Sequence, residues 1–268
     1  MRIALAQIRS TTSPRVNLAL VTDAARQAVQ AGADAVVFPE ATMCSFLRPP
    51  AQIAEPFDGP WASAVRKLAR GLGITVVAGM FTTAPGRLVH NTLLVTGGTE
   101  ARYDKIHLFD ALGNRESEHV APGHQLVSVP LAGQQLGLAV CYDIRFPQQF
   151  IDLALGGARV MVVCASWAPG PGKLAQWRTL VAARAMDSTS FMIAVDQATS
   201  GDINASGPPT GVGHSMVAGP AGEVLLELGS EPELFIVDLD LRQVDATREA
   251  LPVLRGHKQA SQDLHSGR

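Results

Sequence analysis

Residues 138–147 read LAVCYDIRFP. Leu138, Ala139 and Val140 close an apolar run, expected over 135–140, of the length and composition of a buried strand. The run stops at a thiol, Cys141. Pro147 then marks the start of a helix expected over 147–156, because proline pre-sets φ for a first helical turn. A reactive side chain between a strand end and a helix start is an α/β feature. Functional residues collect at such ends, because loops there aim side chains from a rigid sheet.

Working outward, two more apolar segments end in charged residues. VVFPE (36–40) places Glu40 just past a short strand expected over 33–39, and YDKIHLF (103–109) places Lys105 in or just after a strand expected over 101–106. The same alternation runs along the whole chain. Further strands are predicted at 2–7, 74–80, 91–96, 124–129, 159–164, 190–195 and 233–240. Helices are predicted at 15–31, 61–71 and 174–187. Gly97-Gly98 and the Gly219–Gly222 turn each sit inside a predicted hairpin. No linker, low-complexity block or fixed-period repeat interrupts the pattern. Residues 1–255 read as one α/β domain and 256–268 as a polar tail. The pattern leaves open one large mixed sheet or two stacked sheets, with helices on the outer faces.

Bulk properties narrow the function classes. The chain has 268 residues, 47% of them apolar and 17% charged, which supports a sizeable core and excludes intrinsic disorder. A formal net charge of −2 with no basic stripe argues against a nucleic-acid partner. The first residues, MRIALAQIRS, are too short and too polar for a signal peptide. No apolar run approaches the ~18 residues of a membrane span. A cytoplasmic location is therefore expected. Three cysteines, Cys44, Cys141 and Cys164, make neither a disulfide framework nor a CxxC zinc site.

A cysteine, a glutamate and a lysine together suit acyl transfer. A free thiol is mostly protonated near neutrality; a carboxylate can take its proton and an ammonium favours the thiolate. The ammonium can also stabilise the oxyanion formed when sulfur attacks a carbonyl or nitrile carbon. Spacing alone does not show that Glu40, Lys105 and Cys141 meet.

VVFPEA, YDKIHLF, RESEHVAPG (115–123) and VCYDIRFP occur in that order along the chain. With them the sequence resembles the nitrilase superfamily of carbon–nitrogen hydrolases, in particular its small amidase branch of the omega-amidase and deaminated glutathione amidase kind. The likeness runs from MRIALAQ at the start to DLDLRQVDATREALPVLR at 238–255. It implies a four-layer αββα sandwich of two mixed sheets flanked by helices, and pairing into a homodimer or higher homo-oligomer. It implies Cys141 as nucleophile, Glu40 as general base and Lys105 as oxyanion support. Glu116 would be a second glutamate positioning that lysine, although Glu118 lies two residues away. The Tyr142 N–H would be a second oxyanion donor. No metal or organic cofactor is implied.

The remaining candidates carry two readings each. Arg145 would bind a substrate carboxylate, or hold Asp143, Glu116 or a subunit neighbour. Trp167 would line the pocket or simply pack. Cys164, inside VMVVCAS, reads as core; Cys44 reads as structural or incidental. The seven histidines show no metal-binding spacing. GPGK at 170–173 lacks the spacing of a phosphate-binding loop. Gln176 stands where many relatives carry histidine, and Asp187 where many carry glutamate. The resemblance, with Arg145, implies hydrolysis of a small linear amide, such as a dicarboxylate monoamide or a deaminated-glutathione-like compound, to carboxylate and ammonia. An N-carbamoyl hydrolase or a nitrilase is the alternative within chemistry, although CYD replaces the CWE of true nitrilases. A non-catalytic scaffold that kept the fold is the alternative outside it.

Overall fold

The computed structural model describes residues 1–200 and 208–257. The strands are β1 Arg2–Gln7, β2 Ala35–Val37, β3 Thr75–Thr83, β4 Val89–Thr96, β5 Ala101–Asp104, β6 Ser128–Leu131, β7 Gln134–Val140, β8 Ala158–Ala165, β9 Phe191–Asp196, β10 Met216–Ala218, β11 Val224–Glu227 and β12 Glu233–Asp238. The helices are α1 Pro14–Gln30, α2 Pro60–Leu72, α3 Pro147–Leu155, α4 Lys173–Ser188 and α5 Arg242–Ala250. Proline opens α1, α2 and α3, where its missing N–H costs nothing. Gly73 closes α2 in the left-handed conformation (φ 68°).

The strands form two six-stranded sheets, ordered β12-β1-β2-β3-β4-β5 and β11-β10-β9-β8-β7-β6. In the first, β1, β2 and β3 run parallel and the outer strands pair antiparallel. In the second, β7, β8 and β9 run parallel, again between antiparallel neighbours. The two-residue period of each strand separates two faces. Ile3, Leu5, Val37 and Val77 of the first sheet share a buried core with Leu138, Val140, Val162 and Ile193 of the second. On its other face the first sheet buries Ala4, Ala6, Val36 and Ala78 against Val21 and Ala25 of α1 and Val65 and Ala69 of α2. The second sheet buries Ala139, Met161 and Val163 against Phe150 of α3 and Trp177 and Val181 of α4. The result is an αββα sandwich of two mixed sheets, as the motifs implied. Filling a core site with a large aliphatic or aromatic side chain contributes about 1.5–3 kcal/mol.

Most predicted elements are present, with three differences. The strand expected at 124–129 is displaced to Ser128–Leu131. Its register is set by a tight turn in which Ala132 and Gly133 both have positive φ (45° and 76°), so that Leu131 pairs with Gln134. Alanine is a poor signal for that turn. The strand containing Tyr103 ends at Asp104, which leaves Lys105 just beyond it. Helix α5 was not expected: it is polar, and Val244 is its one buried residue. Most of the 256–268 tail lies outside the described residues. Among the described residues no helix is long and apolar enough to cross a membrane.

Candidate active site

Glu40 follows β2 in a turn locked by backbone and side-chain bonds. Thr42 Oγ1 donates to the Pro39 carbonyl at 2.7 Å, and Gln197 Nε2 donates to the Glu40 carbonyl at 2.8 Å. Gly79 of β3 lies directly underneath. A Cβ there would sit 2.7–2.9 Å from Ala41 N, Pro39 O and Glu40 Cα, so the turn can approach the sheet only over a glycine. The Glu40 side chain is 1% exposed. Its Oε1 accepts from Asn91 Nδ2 at 2.7 Å and its Oε2 from the Ser166 amide at 2.8 Å. Burial pushes its pKa above the usual carboxylate range against the opposing pull of Lys105.

Lys105 is held by the Asn91 carbonyl, which accepts its amide at 2.8 Å. Its ammonium is buried between two carboxylates. Glu116 accepts from Nζ with both oxygens, at 3.1 and 2.8 Å, and Glu40 Oε1 lies at 3.4 Å. Burial alone would pull the ammonium pKa down; Glu116, Glu40 and Cys141 outweigh it and hold it well above its ordinary value. Glu116 itself is fixed by the Phe109 amide at 2.7 Å. Glu118 pairs instead with Arg115 at 3.5 Å. Of the two glutamates, Glu116 is therefore the one on the lysine.

Cys141 follows β7 with φ 44°, an uncommon left-handed value for a non-glycine residue. That kink turns the chain into a short 3-10 turn, Cys141–Arg145. Asp143 staples the turn. Its Oδ2 accepts from the Val140 amide at 2.8 Å and from Tyr103 Oη at 2.6 Å; its Oδ1 contacts the amide and ring Nδ1 of His107, both at 2.9 Å. Through Asp143, the strand end bearing Cys141 is tied to the segment bearing Lys105. The Cys141 sulfur points at the Ser166 carbonyl, 3.9 Å away. Burial, reinforced by the Glu40 charge and opposed by Lys105, raises its pKa well above that of a free thiol.

Ser166 and Trp167 follow β8 and offer consecutive amides to two buried acids. Ser166 N–H donates to Glu40, and Trp167 N–H donates to Asp196 Oδ1 at 2.7 Å. Asp196 Oδ2 also accepts from the Val212 amide at 2.8 Å. Burial pushes Asp196 up to about 8 despite these bonds.

Glu40, Lys105, Glu116 and Cys141 all face one cavity of about 400 Å³, walled also by Phe109, Tyr142, Arg145, Trp167 and Lys173. Trp167 lines this cavity and is also packed, 2% exposed and tilted against Trp177. Arg145 touches neither Asp143 nor Glu116: its Nη2 donates to Gln176 at 2.6 Å, and its guanidinium lies 5.1 Å from the Trp167 ring centre. Asp187 pairs with Arg184 at 3.0 Å. Cys164 is fully buried between the sheets. Cys44 is buried too, its sulfur near the Thr12 and Ser45 carbonyls. Asn91, Ser166, Lys173 and Asp196 were not singled out in the sequence. Asn91 breaks no apolar run in its own segment: it lies between His90 and Thr92 at the polar start of its strand.

The family described as carbon-nitrogen hydrolase matches residues 2–249 of this chain. The chain belongs to that family and is an enzyme of carbon–nitrogen bond hydrolysis. It is 52% identical over 265 residues to a hydrolase of Mycobacterium tuberculosis, covering 95% of each chain. It is 32% identical to the deaminated glutathione amidase of Escherichia coli O157:H7, covering 79% of this chain and 78% of that one. Among solved structures it resembles an amidase of Nesterenkonia sp. AN1, at TM-score 0.78 and 30% identity, over 94% of this chain and 98% of that one.

Proposed function

We propose that this enzyme hydrolyses a small linear amide to a carboxylate and ammonia through a thioester on Cys141. The observation that carries the reading is the sharing of Ser166: its amide holds Glu40 and its carbonyl faces the Cys141 sulfur, beside a lysine kept charged by two glutamates. Glu40, with its raised pKa, suits a base that must take a proton and return it. Support also comes from relatives. A Pseudomonas protein 31% identical to this chain is an (R)-stereoselective amidase. A mutant of the Nesterenkonia amidase carries acrylamide added at its active-site cysteine.

Catalysis begins when the Cys141 sulfur bonds to the amide carbon and its proton passes to Glu40. The carbonyl electrons move onto oxygen. There the Lys105 ammonium and the Tyr142 N–H, at the start of the turn where amides lack intrahelical acceptors, stabilise the charge. The C=O bond re-forms, the C–N bond breaks, and Glu40 gives its proton to the departing nitrogen, releasing ammonia. Water then adds to the thioester while Glu40 takes its proton. The C–S bond breaks, the sulfur recovers the proton, and the acid leaves. Glu116 holds Lys105 in place, and Arg145 faces the part of the substrate remote from the amide.

The test is ammonia release from a panel of small amides, nitriles and carbamoyl amines, with Cys141→Ala as control and mass spectrometry for the acyl-enzyme. Ammonia from amides, an acyl adduct on Cys141 and a silent control are expected. Turnover retained in a clean Cys141→Ala protein would sink the reading; activity confined to nitriles or carbamoyl amines would replace it.

A further inference from the structure

Asn91 is buried on β4, on the face that carries Leu93 and Val95 into the core between the sheets. The order β2-β3-β4-β5 puts it between the strands that lead to Glu40 and to Lys105. Its backbone carbonyl seats the Lys105 amide. Its side chain makes a separate set of contacts. Nδ2 donates to Glu40 Oε1 at 2.7 Å and lies 3.5 Å from Glu116 Oε1. Lys105 Nζ reaches the same oxygens, at 3.4 and 3.1 Å. Donors and acceptors therefore alternate around a closed ring. The donors separate carboxylates that repel each other, Glu116 being one of the groups that raise the Glu40 pKa.

The orientation of the Asn91 amide follows from these neighbours, because turned over it would set its oxygen against two carboxylate oxygens. As it stands, Oδ1 is buried with no hydrogen-bond partner among the described residues. A buried acceptor left unpaired is costly. The donor half of the amide is used and the acceptor half is idle, whereas a polar side chain buried for stability alone would satisfy both.

The ring also makes the two oxygens of Glu40 unequal. An ionised carboxylate has about two lone-pair sites on each oxygen. Among the described residues, Oε1 accepts from both Asn91 and Lys105, and Oε2 accepts only from the Ser166 amide at 2.8 Å. The open site is on Oε2, beside the residue whose carbonyl the Cys141 sulfur faces.

We propose that Asn91 is a positioning residue for the hydrolysis: its amide keeps Glu40 Oε1 a fixed acceptor, so that the proton from Cys141 is carried by Oε2. This rests on the amidase reading, in which Glu40 is the base. As the S–H bond breaks, the sulfur pair bonds to the amide carbon and an O–H bond forms at Oε2. Oε1 becomes the carbonyl oxygen of a neutral acid and still accepts from Asn91. The carboxyl group does not turn. Oε2 then gives its proton to the departing nitrogen from the place where it received it. Without the Asn91 donor, a lone pair of Oε1 is released and the two oxygens compete for the proton.

The experiment measures kcat and KM against pH for an amide that the wild type hydrolyses, in the wild type and in Asn91→Leu. Leucine keeps the branched shape, removes the donor and the idle acceptor together, and leaves the backbone bond to Lys105. Asn91→Ala, which adds no bulk, is read in parallel and stands in should Asn91→Leu fail to fold. The titratable groups facing Glu40 are Lys105, Glu116, Asp196 and the thiols of Cys141 and Cys164, and both variants retain them all. Burial raises the Glu40 pKa and the Asn91 bond opposes that rise. Losing the bond should raise it further. The base must be ionised, so the acid limb of the kcat profile is expected to move to higher pH. On the plateau, kcat is expected to fall by about tenfold or more with KM nearly unchanged. An acid limb at its wild-type position in a folded variant overturns the proposal, even where activity falls. So does a wild-type kcat, or a loss carried by KM. Failure of both variants to fold would assign Asn91 to the fold alone and overturn it too. A wild type that releases no ammonia from any amide, or a Cys141→Ala protein that still does, would remove the amidase reading and this role with it.

Discussion

Glu116 grips the Lys105 ammonium with both carboxylate oxygens, closer than Glu40 does. Among the groups that raise the lysine's pKa, Glu116 is the largest. Glu116→Gln should therefore lower that pKa and loosen the side chain. The alkaline limb of the pH–rate profile should move to lower pH, and kcat should fall by about 10²-fold, the scale of losing one oxyanion donor. KM should change much less. A fall in activity with an unmoved alkaline limb would show that Glu116 acts only on the fold.

The raised pKa of Cys141 has a direct chemical readout. Burial is its main cause and the Glu40 charge its second. Alkylation of Cys141 by iodoacetamide, followed by peptide mass spectrometry, should be slow at neutral pH and still rising above pH 9. Glu40→Gln removes a charge that disfavours the thiolate, while Lys105 stays. The alkylation profile should then shift to lower pH, even as kcat for amides drops by about 10²–10⁴-fold with loss of the base. A profile that shifts upward would contradict the assigned electrostatics.

Asp196 predicts a pH dependence of stability. Its folded-state pKa, about 8, lies above the value of 3.8 for an ordinary aspartate. The fold favours the protonated form, so the contribution is fully present below about pH 4 and is lost as pH rises toward 8. Asp196→Asn cannot ionise. Thermal melts across pH 4–9 should show the wild type losing stability relative to Asp196→Asn up to about pH 8, then running parallel. A constant difference would mean that Asp196 stays ionised throughout.

Gly79→Ala tests the seat of Glu40. The added methyl would meet the backbone on both sides of Glu40 at 2.7–2.9 Å. Overpacking of this kind costs about 1–3 kcal/mol. The variant should fold, melt at a lower temperature and lose more in kcat than in KM. Wild-type kcat in Gly79→Ala would show that the turn has room to give.

The sequence disclosed the parts of this site that lie on single segments. The thiol at the end of LAV and the glutamate after VVFP each break a local apolar run, and that interruption is visible one segment at a time; Lys105, after Arg102 and Asp104, was legible through the motif. The fold class followed from the same alternation, and the motifs distinguished two sheets from one. What stayed hidden depends on residues that meet only in the folded chain. Asn91, from β4, bonds Glu40 and lies 3.5 Å from Glu116. Asp196 ends β9 and fixes the turn after β8. Lys173 stood in a Gly-Pro-Gly-Lys stretch read only for a phosphate loop, yet it lines the cavity. Arg145 left several partners open, and the one found, Gln176, was noted only as a substitution.

Glu40 rises from one sheet and Cys141 from the other, with the buried Ile3–Val217 core between the layers. Their separation is therefore set by how thickly the aliphatic filling spaces the two sheets. A misplacement of about 1 Å can cost 10²-fold in rate, a displacement that thermal melting would scarcely register. Turnover is thus the finer gauge of this interior. A drifting lineage would go quiet through slow slippage of one slab over the other well before it ceased to fold, with every reactive residue still in its place along the chain.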